Sequence, residues 1–499
     1  MQLVWFKRDL RSEDHQALAT AAANGPVLPL YIVEPELWQQ PDSSARHWGF
    51  VRECLQALDQ SLRALGQPLW VIQGDAVEVL SQLHQRFGIS ALHSHMESGN
   101  RFTFERDLRV LALCKDKAIP WLEYRQHGVL RGLRQRENWA EQWERLMSKP
   151  LVHCPPLTGP GEGPFELDFE CGTDLAHRQR GGAAQGWKLF DSFVSERGEH
   201  YRQTMGQPMQ AGRSCSRLSP YLAFGAMSLR EVTQRSRMIT KTQYTAPSAW
   251  KSSMRSFDKR LHWHCHFIQK LESEPRMEFE ALHRGMQALY PAEADPLRLQ
   301  AWVAGQTGWP LIDACMRAVE HTGWLTFRMR AMVVSCASYL LNLPWQSTAL
   351  PLARAFLDYE PGIHYSQMQM QSGTTGINAN RMYNPVKQGF EKDPAGEFVK
   401  RWCPELEAVP KEWIHMPYKA PRSLQQKWGI KLGDDYPLPL IEPEQALREA
   451  RHRLKQYRAM YDLGEEAKRV LKMHGSQLRQ NRPNYNDSKA GLDQLDFDF

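Results

Sequence analysis

The chain has 499 residues, a length that predicts two or three domains. Of these residues 42% are apolar and 24% charged, a composition typical of soluble globular proteins. It contains no apolar run long enough to cross a membrane, and it is charged from residue 7, which excludes the apolar core of a signal peptide. The nine cysteines are scattered without a CxxC pair, which argues against a disulfide framework or zinc site and predicts a cytoplasmic protein with reduced thiols.

The net charge of +6 is unevenly distributed along the chain. Residues 181–499 carry 42 Lys and Arg against 33 Asp and Glu, whereas residues 1–130 carry 13 against 15. A basic C-terminal half fits a polyanionic partner such as nucleic acid, because Lys and Arg neutralise phosphates. A solvated surface that happens to be basic fits the same counts.

The first 130 residues alternate short apolar runs with helical patterns. Strands are predicted at residues 3–6, 27–33, 69–72 and 89–95, and helices at residues 48–65, 76–87 and 101–117. This alternation predicts an α/β domain with a doubly wound parallel sheet. No GxGxxG turn follows the first strand, so the usual dinucleotide-binding fingerprint is absent.

The composition changes after this domain. Prolines and glycines crowd between residues 155 and 164, which predicts irregular structure from about Pro150 to Gly182 within an interdomain connector over residues 131–182. Helical patterns then dominate at residues 250–271, 297–302, 310–321, 327–341 and 443–474, so residues 183–474 are predicted to form an all-α domain. Residues 475–499 are polar and are predicted to be a frayed tail.

Residues 212–220 have the chemistry of a phosphate cradle. Small hydroxyl residues flank Arg217, and Pro220 suits the first turn of a helix whose N–H groups and positive dipole end would face an anion. Ordinary helix caps use the same residue types, so the pattern alone leaves both interpretations open.

Other segments are chemically suggestive but ambiguous. Arg328 and Arg330 lie among apolar neighbours in a helical pattern, and Asp358 could partner them, although an ordinary ion pair between helices explains the pattern equally well. His262 and His266 would share a helix face, but no further ligand set accompanies them, so no metal site is predicted. Glycines and amides at residues 367–376 indicate close approach of a ligand, whereas the methionines there could simply fill gaps.

Four segments resemble the DNA photolyase/cryptochrome family, and the resemblance extends from Leu3 to about Leu406. They are residues 4–11 followed by Asp14, residues 216–225, residues 305–317, and residues 383–388 followed by 396–406. Each segment is moderately specific alone. Their shared order and spacing make the resemblance specific.

The resemblance implies a non-covalent FAD in the helical domain and an N-terminal domain with room for an antenna chromophore of the folate or deazaflavin type. It implies that Arg330 pairs with Asp358 beside the flavin ring and that Glu360 lies at the adenine side. His364 would face flavin N5, where a change of charge near neutral pH would make the flavin redox behaviour pH-dependent. The residues assigned to cofactor binding are Tyr201, Ser214, Cys215, Ser216, Arg217, Leu218, Ser219, His262, Arg330, Asp358, Tyr359 and Glu360.

The chain departs from the family pattern at the electron relay and in the substrate pocket. Trp345 resembles the middle residue of the family's tryptophan triad, but Met368 stands at the flavin-proximal position. Asp258 stands where pyrimidine-dimer photolyases carry a dimer-contacting Glu. The residues assigned to catalysis are Asp258, His364, Trp345 and Met368, and those assigned to DNA binding are Leu261, Phe327, Arg328, Met370, Lys387, Gln388, Lys400 and Arg401.

Two functions fit this resemblance. The first is a DNA photolyase that repairs UV-induced pyrimidine dimers by light-driven electron transfer from reduced FAD, and the basic C-terminal half favours it. The second is a cryptochrome-type blue-light photoreceptor without repair activity, which the altered pocket and the interrupted triad favour. UV-damaged DNA is the expected partner, and the protein is expected to be a monomer without a membrane partner.

Overall fold

The computed structural model describes residues 1–378 and 381–475. Its N-terminal part is a five-stranded parallel sheet in the order β3-β2-β1-β4-β5. Leu3 of the central strand lies opposite Leu28 of β2 and Leu92 of β4. The strands are β1 (Gln2–Phe6), β2 (Val27–Val33), β3 (Trp70–Gln73), β4 (Ala91–His95) and β5 (Trp121–Tyr124).

Helices cover both faces of this sheet. Val4 and Phe6 pack into one apolar cluster with residues of the first and third helices, whereas Leu3 and Trp5 pack into another with residues of the fourth and fifth. The predicted doubly wound α/β domain is therefore confirmed, although its first helix and last strand were not predicted. The helices are α1 (Gln16–Asn24), α2 (Pro35–Trp38), α3 (Ala45–Ala64), α4 (Ala76–Phe87) and α5 (Arg101–Asp116).

The interdomain connector begins with a helix, ahead of the stretch predicted to be irregular. It contains helix α6 (Trp139–Met147), which buries Trp139, Trp143 and Met147 at four-residue spacing. That spacing places all three side chains on one helix face, so this part of the connector packs as a helix. The chain is free of helices from residue 148 to residue 182.

From residue 183 the described residues are helical and contain an isolated β-bridge but no β-strand, as predicted. The predicted helix at residues 443–474 is two helices, interrupted after Met460. The helices are α7 (Ala183–Ser192), α8 (Tyr201–Thr204), α9 (Pro208–Ser214), α10 (Ser219–Ala223), α11 (Leu229–Thr242), α12 (Ser248–Ser273), α13 (Pro296–Val303), α14 (Pro310–Thr322), α15 (Phe327–Ser335), α16 (Trp345–Ala355), α17 (Pro361–Ser372), α18 (Pro385–Lys392), α19 (Glu397–Trp402), α20 (Arg422–Lys427), α21 (Pro443–Met460) and α22 (Gly464–His474).

The predicted polar tail lies outside the described residues from residue 476 onward.

Among the helices that the structure describes, none combines the length and the apolar character that a membrane span requires.

The loop that follows β1 joins the two domains. Arg8 donates to the carbonyl oxygens of Ala223 (3.0 Å) and Tyr359 (2.7 Å), and Arg11 donates to that of Gly225 (3.0 Å). Gly225 has a φ of 62°, and a Cβ there would lie 2.2 Å from the Arg8 carbonyl oxygen, so a side chain is excluded. The first strand therefore helps to fix the wall of the helical domain at Tyr359.

Candidate functional site

The helical domain contains a cavity of about 400 Å³, a volume in the range of cofactor-binding sites. Its wall is built from α8, α12, α15 and α17 and from the loop that precedes α10. The predicted site residues that line it are Tyr201, Cys215, Ser216, Arg217, Leu218, Ser219, Leu261, Phe327, Arg328, Arg330, Asp358, Tyr359, Glu360, His364, Met368 and Met370.

Arg217 is the centre of the predicted phosphate cradle. Its φ of 62° is a conformation that residues other than glycine rarely adopt and that is common at ligand sites. The guanidinium donates to Gln179 Oε1 (2.9 Å) and lies 4.1 Å from the ring centre of Trp324. Burial lowers its pKa to about 10, and no carboxylate pairs with it in the described part of the chain. A half-buried cation without a salt-bridge partner in the described residues suits an anionic ligand such as a pyrophosphate.

Arg330 and Asp358 form a bidentate ion pair. Arg330 Nη1 and Nη2 each donate to a different oxygen of Asp358, at 2.9 Å, and the guanidinium lies 4.0 Å from the ring centre of Phe356. Burial alone would raise the pKa of Asp358, but the charge and hydrogen bonds of Arg330 outweigh it and lower that pKa. The pair thus places a fixed positive group in the cavity wall and keeps its partner ionised.

His364 does not behave as predicted. Its Nε2 lies 2.9 Å from the carbonyl oxygen of Ala349 and donates to it, and burial lowers the pKa of the imidazole to about 4. The side chain is therefore neutral throughout the physiological range. This lowered pKa argues against a change of charge at His364 near neutral pH, and the burial that causes it could not be seen in the sequence.

Glu360 is the cavity residue that titrates near neutral pH. Burial raises the pKa of its carboxyl to about 7, although Arg8 lies 3.2 Å away and opposes this shift. As the pH rises, Glu360 of the unfolded chain loses its proton near pH 4.5, whereas Glu360 of the folded protein keeps it until about pH 7. Any pH dependence of the cavity near neutrality should come from Glu360 rather than from His364.

Replacement Glu360→Gln should remove this pH dependence. Because the folded pKa is raised, the contribution of Glu360 to stability is complete below pH 4.5 and is lost as the pH rises to about 7. The variant, which mimics the protonated acid, should thus gain about 3 kcal/mol relative to the unmodified protein between pH 4.5 and pH 8. Urea unfolding of the flavin-free protein across this range measures the difference, and a constant difference would contradict the assignment.

The other predicted site residues lie outside the wall of this cavity. Asp258 pairs with Arg237 at 2.7 Å, His262 packs on Trp139 and Trp143, and the Ser214 hydroxyl accepts a hydrogen bond from Thr204. The residues outside the cavity wall are Asp258, Ser214, His262, Trp345, Lys387, Gln388, Lys400 and Arg401.

Helix geometry explains the displacement of Asp258. Helix α12 presents Phe257, Leu261 and His264 to the cavity, at the i, i+4 and i+7 positions of one face. A residue one position after Phe257 is turned about 100° away from that face, so Asp258 meets α11 instead. Arg260 lines the cavity in its place, and the apolar spacing along α12 was the sequence signal that could have revealed this.

The cavity is strongly basic. Sequence reasoning missed three of its cations, Arg202, Arg260 and Lys392, which add to the arginines that were predicted. Two acidic side chains, Asp358 and Glu360, oppose them, and each is already paired with an arginine. The excess positive charge fits a ligand that carries phosphates.

Unpaired polar atoms indicate that the cavity is built for a ligand with heteroatoms. Gln367 Nε2 and His264 Nε2 are buried in residues that line the cavity and have no hydrogen-bond partner within residues 1–378 and 381–475. Orphaned buried donors are costly, so a ligand that accepts from them would stabilise the site. The phosphate cradle, the Arg330–Asp358 pair and these amide and imidazole groups together fit FAD.

Comparisons with known proteins agree with this geometry. Residues 257–456 match the family described as the FAD-binding domain of DNA photolyase, and residues 2–139 match the family described as DNA photolyase. The chain is similar to cryptochrome-1 of Arabidopsis thaliana, with 31% identity over 510 residues that cover 95% of this chain and 72% of that protein. It is also similar to the deoxyribodipyrimidine photo-lyase of Streptomyces griseus, with 28% identity, 92% coverage of this chain and 99% of that protein.

A solved structure shares the fold. The archaeal photolyase from Sulfolobus tokodaii, described with two FAD molecules, has a TM-score of 0.74 and 24% identity, and the match covers 91% of this chain and 100% of that chain. Both domains are thus accounted for by one architecture, and the basic cavity lies in the matched FAD-binding part. The chain belongs to the DNA photolyase/cryptochrome family and carries its FAD-binding domain.

Proposed function

We propose that the protein is a DNA photolyase that repairs UV-induced pyrimidine dimers with light. The observation that carries this proposal is the cavity itself, in which Arg202, Arg217, Arg260, Arg328, Arg330 and Lys392 meet only two acidic side chains. Flavin phosphates use part of this charge, and the phosphates of a DNA strand are the natural partners of the rest. When bound, FAD supplies the light-driven electron, and the residues of the chain position the two ligands.

The residues divide by chemistry. Residues 215–219, with Arg217 at their centre, would hold the flavin phosphates. The Arg330–Asp358 pair would set the charge beside the flavin ring. Leu261, Phe327 and Met370 offer apolar surface in the same cavity, against which flipped-out pyrimidines would pack. Flipping costs a few kcal/mol and less at a lesion whose pairing is already damaged, so a dimer would enter more easily than an intact base pair.

A repair assay tests this function. Under illumination, the FAD-loaded protein should repair DNA that carries defined cyclobutane dimers or (6-4) products. Dark controls should show no repair. Replacement Arg260→Met removes one phosphate contact. It should therefore lower the affinity for damaged DNA, and the slope of log binding constant against log salt concentration should fall by about one. Lys419→Met, which removes a cation paired with Glu442 and Glu444, is the control and should change neither. Equal affinity for damaged and undamaged DNA, without repair of any lesion, would overturn the proposal.

A cryptochrome-type photoreceptor is the second candidate. The observation that favours it concerns Asp258, the acid expected to contact a dimer. Arg237 forms an ion pair with this carboxylate, and Asp258 lies outside the cavity. In this function light would change the flavin redox state, and a partner would read the change. The repair assay separates the two, because only the first function consumes a lesion.

The proposal includes an antenna chromophore, whose binding depends on the size of the smaller cavity. A cavity of about 60 Å³ lies where the N-terminal domain meets Phe224, Tyr359 and Pro361 of the helical domain, and the ion cluster of Arg106 with Glu34 and Glu97 lies in its wall. Cofactor sites are usually several times larger, so a folate or deazaflavin does not fit this cavity as it stands. We further propose that the protein acts in the cytoplasm as a monomer, with damaged DNA as its partner.

A further inference from the structure

Tyr359 lies in a wall shared by two cavities. The residue lines the FAD cavity of the helical domain and also the smaller cavity between that domain and the N-terminal sheet. Its hydroxyl donates to Oδ2 of Asp42 at 2.6 Å, a contact between residues 317 positions apart in the sequence. Burial raises the pKa of the phenol well above its usual range, so it is protonated in the resting protein.

Asp42 is placed to receive a proton. Its Oδ2 also accepts from Asn100 Nδ2 at 3.0 Å, whereas its Oδ1 is buried without a hydrogen-bond partner in the described ranges. No cation forms a salt bridge with Asp42 among those residues, although the carboxylate is only 3% exposed. Asp42 therefore presents a buried acceptor oxygen to the Tyr359 hydroxyl, and no cation in the described ranges competes for it.

The neighbours of Tyr359 form a continuous aromatic path. The hydroxyl of Tyr365 lies beside that of Tyr359, and the ring of Trp345 lies 6.5 Å from the ring of Tyr365. Trp345 itself does not line the FAD cavity, and Met368 lines it instead of an aromatic residue. Trp345 is therefore linked to the cavity wall through Tyr365, which contacts both Tyr359 and His364.

We propose that Tyr359 is a redox-active tyrosine that reduces light-excited oxidised flavin while its phenolic proton passes to Asp42. This inference rests on the proposed light-driven function. One electron leaves the Tyr359 ring for the flavin, the phenolic O–H bond breaks, and an O–H bond forms on Asp42 Oδ2. The products on the protein are a neutral phenoxyl radical and a neutral carboxylic acid. An added thiol returns the electron, directly or through Trp345 and Tyr365, and Asp42 then returns the proton.

Flash photolysis of the FAD-loaded protein tests the proposal. A flash on the oxidised protein should produce the absorption and electron paramagnetic resonance spectrum of a tyrosyl radical, and D₂O should slow its formation because a proton moves with the electron. Tyr359→Phe and Asp42→Asn should each lower the radical yield about tenfold, which corresponds to about 1.4 kcal/mol of barrier. Tyr290→Phe, which removes a buried hydroxyl bonded to the Ser372 carbonyl, is the control and should leave the yield unchanged.

The outcomes are distinct even if a variant folds poorly. Ring-deuterated tyrosine in the unmodified protein should narrow the resonance spectrum, a result that no structural role of the Tyr359–Asp42 contact would give. A tryptophanyl radical alone, or an unchanged tyrosyl signal in Tyr359→Phe, overturns the inference and leaves the proposed function standing. Failure of the unmodified protein to hold FAD overturns both.

Discussion

Replacement of Asp358 by alanine should lower the free energy of unfolding by about 3–5 kcal/mol and abolish FAD retention. The reason is that Arg330 would keep its charge while the one carboxylate that pairs with it in the described residues disappears, in a wall where Phe356 lies against the guanidinium. Removing one member of a buried pair leaves an uncompensated charge, which costs more than the pair contributes. Urea unfolding and the flavin content after gel filtration measure the two effects.

Two further variants separate stability from ligand binding. The double replacement Arg330→Met with Asp358→Leu removes both charges and should recover most of the lost stability, because apolar residues can replace a buried pair. It should nevertheless retain no FAD, since the positive group in the cavity wall is gone. If Asp358→Ala alone is as stable as the unmodified protein, solvent compensates the charge of Arg330, whose side chain is 24% exposed, and the prediction is wrong.

Replacement of Asp313 by alanine should have a comparable effect on stability, at a distance from the cavity. Asp313 is fully buried and accepts from the backbone N–H groups of Thr307 (2.8 Å) and Gly308 (3.0 Å) and from the hydroxyls of Thr307 and Tyr436. Each unsatisfied buried donor costs about 1–3 kcal/mol, so we expect a total loss of about 4 kcal/mol. Thermal or urea unfolding measures it.

Asp295→Ala is the matched control for this prediction. Asp295 caps α13 and accepts from the N–H groups of Leu297 and Arg298, but it is exposed, so water can replace it. Its loss should cost about 1 kcal/mol, as for other N-caps. Equal losses in the two variants would show that burial does not determine the effect of Asp313.

The predictions from sequence succeeded where local signals were complete. Helix α4 was predicted with the bounds observed, because its apolar spacing lies between an Asp75 cap and Gly88 in the left-handed conformation. Strand β5 was missed because its residues are mostly half-exposed and lack the apolar run of the central strands. The irregular residues 148–182 followed from their prolines and glycines.

The site was harder to predict, because its properties depend on packing between distant segments. The ligand-facing side of α12 was misjudged by two positions, which put Asp258 in the place of Arg260. The pKa values of His364 and Glu360 moved in opposite directions from their usual values, and both moved because of burial, which no residue pattern reports. The partner of Tyr359 lies 317 positions away, so no local motif contains it.

The contacts of Arg8 constrain how the chain reaches its native state. Arg8 bonds to carbonyl groups 215 and 351 positions later in the sequence. At synthesis rates of about 5–20 residues per second, its second partner leaves the ribosome roughly 20–70 s after Arg8 does. Any sheet that forms earlier lacks these two bonds to the helical domain. Flavin capture also needs residues as late as Gln371 in the cavity wall, so it follows the synthesis of most of the chain.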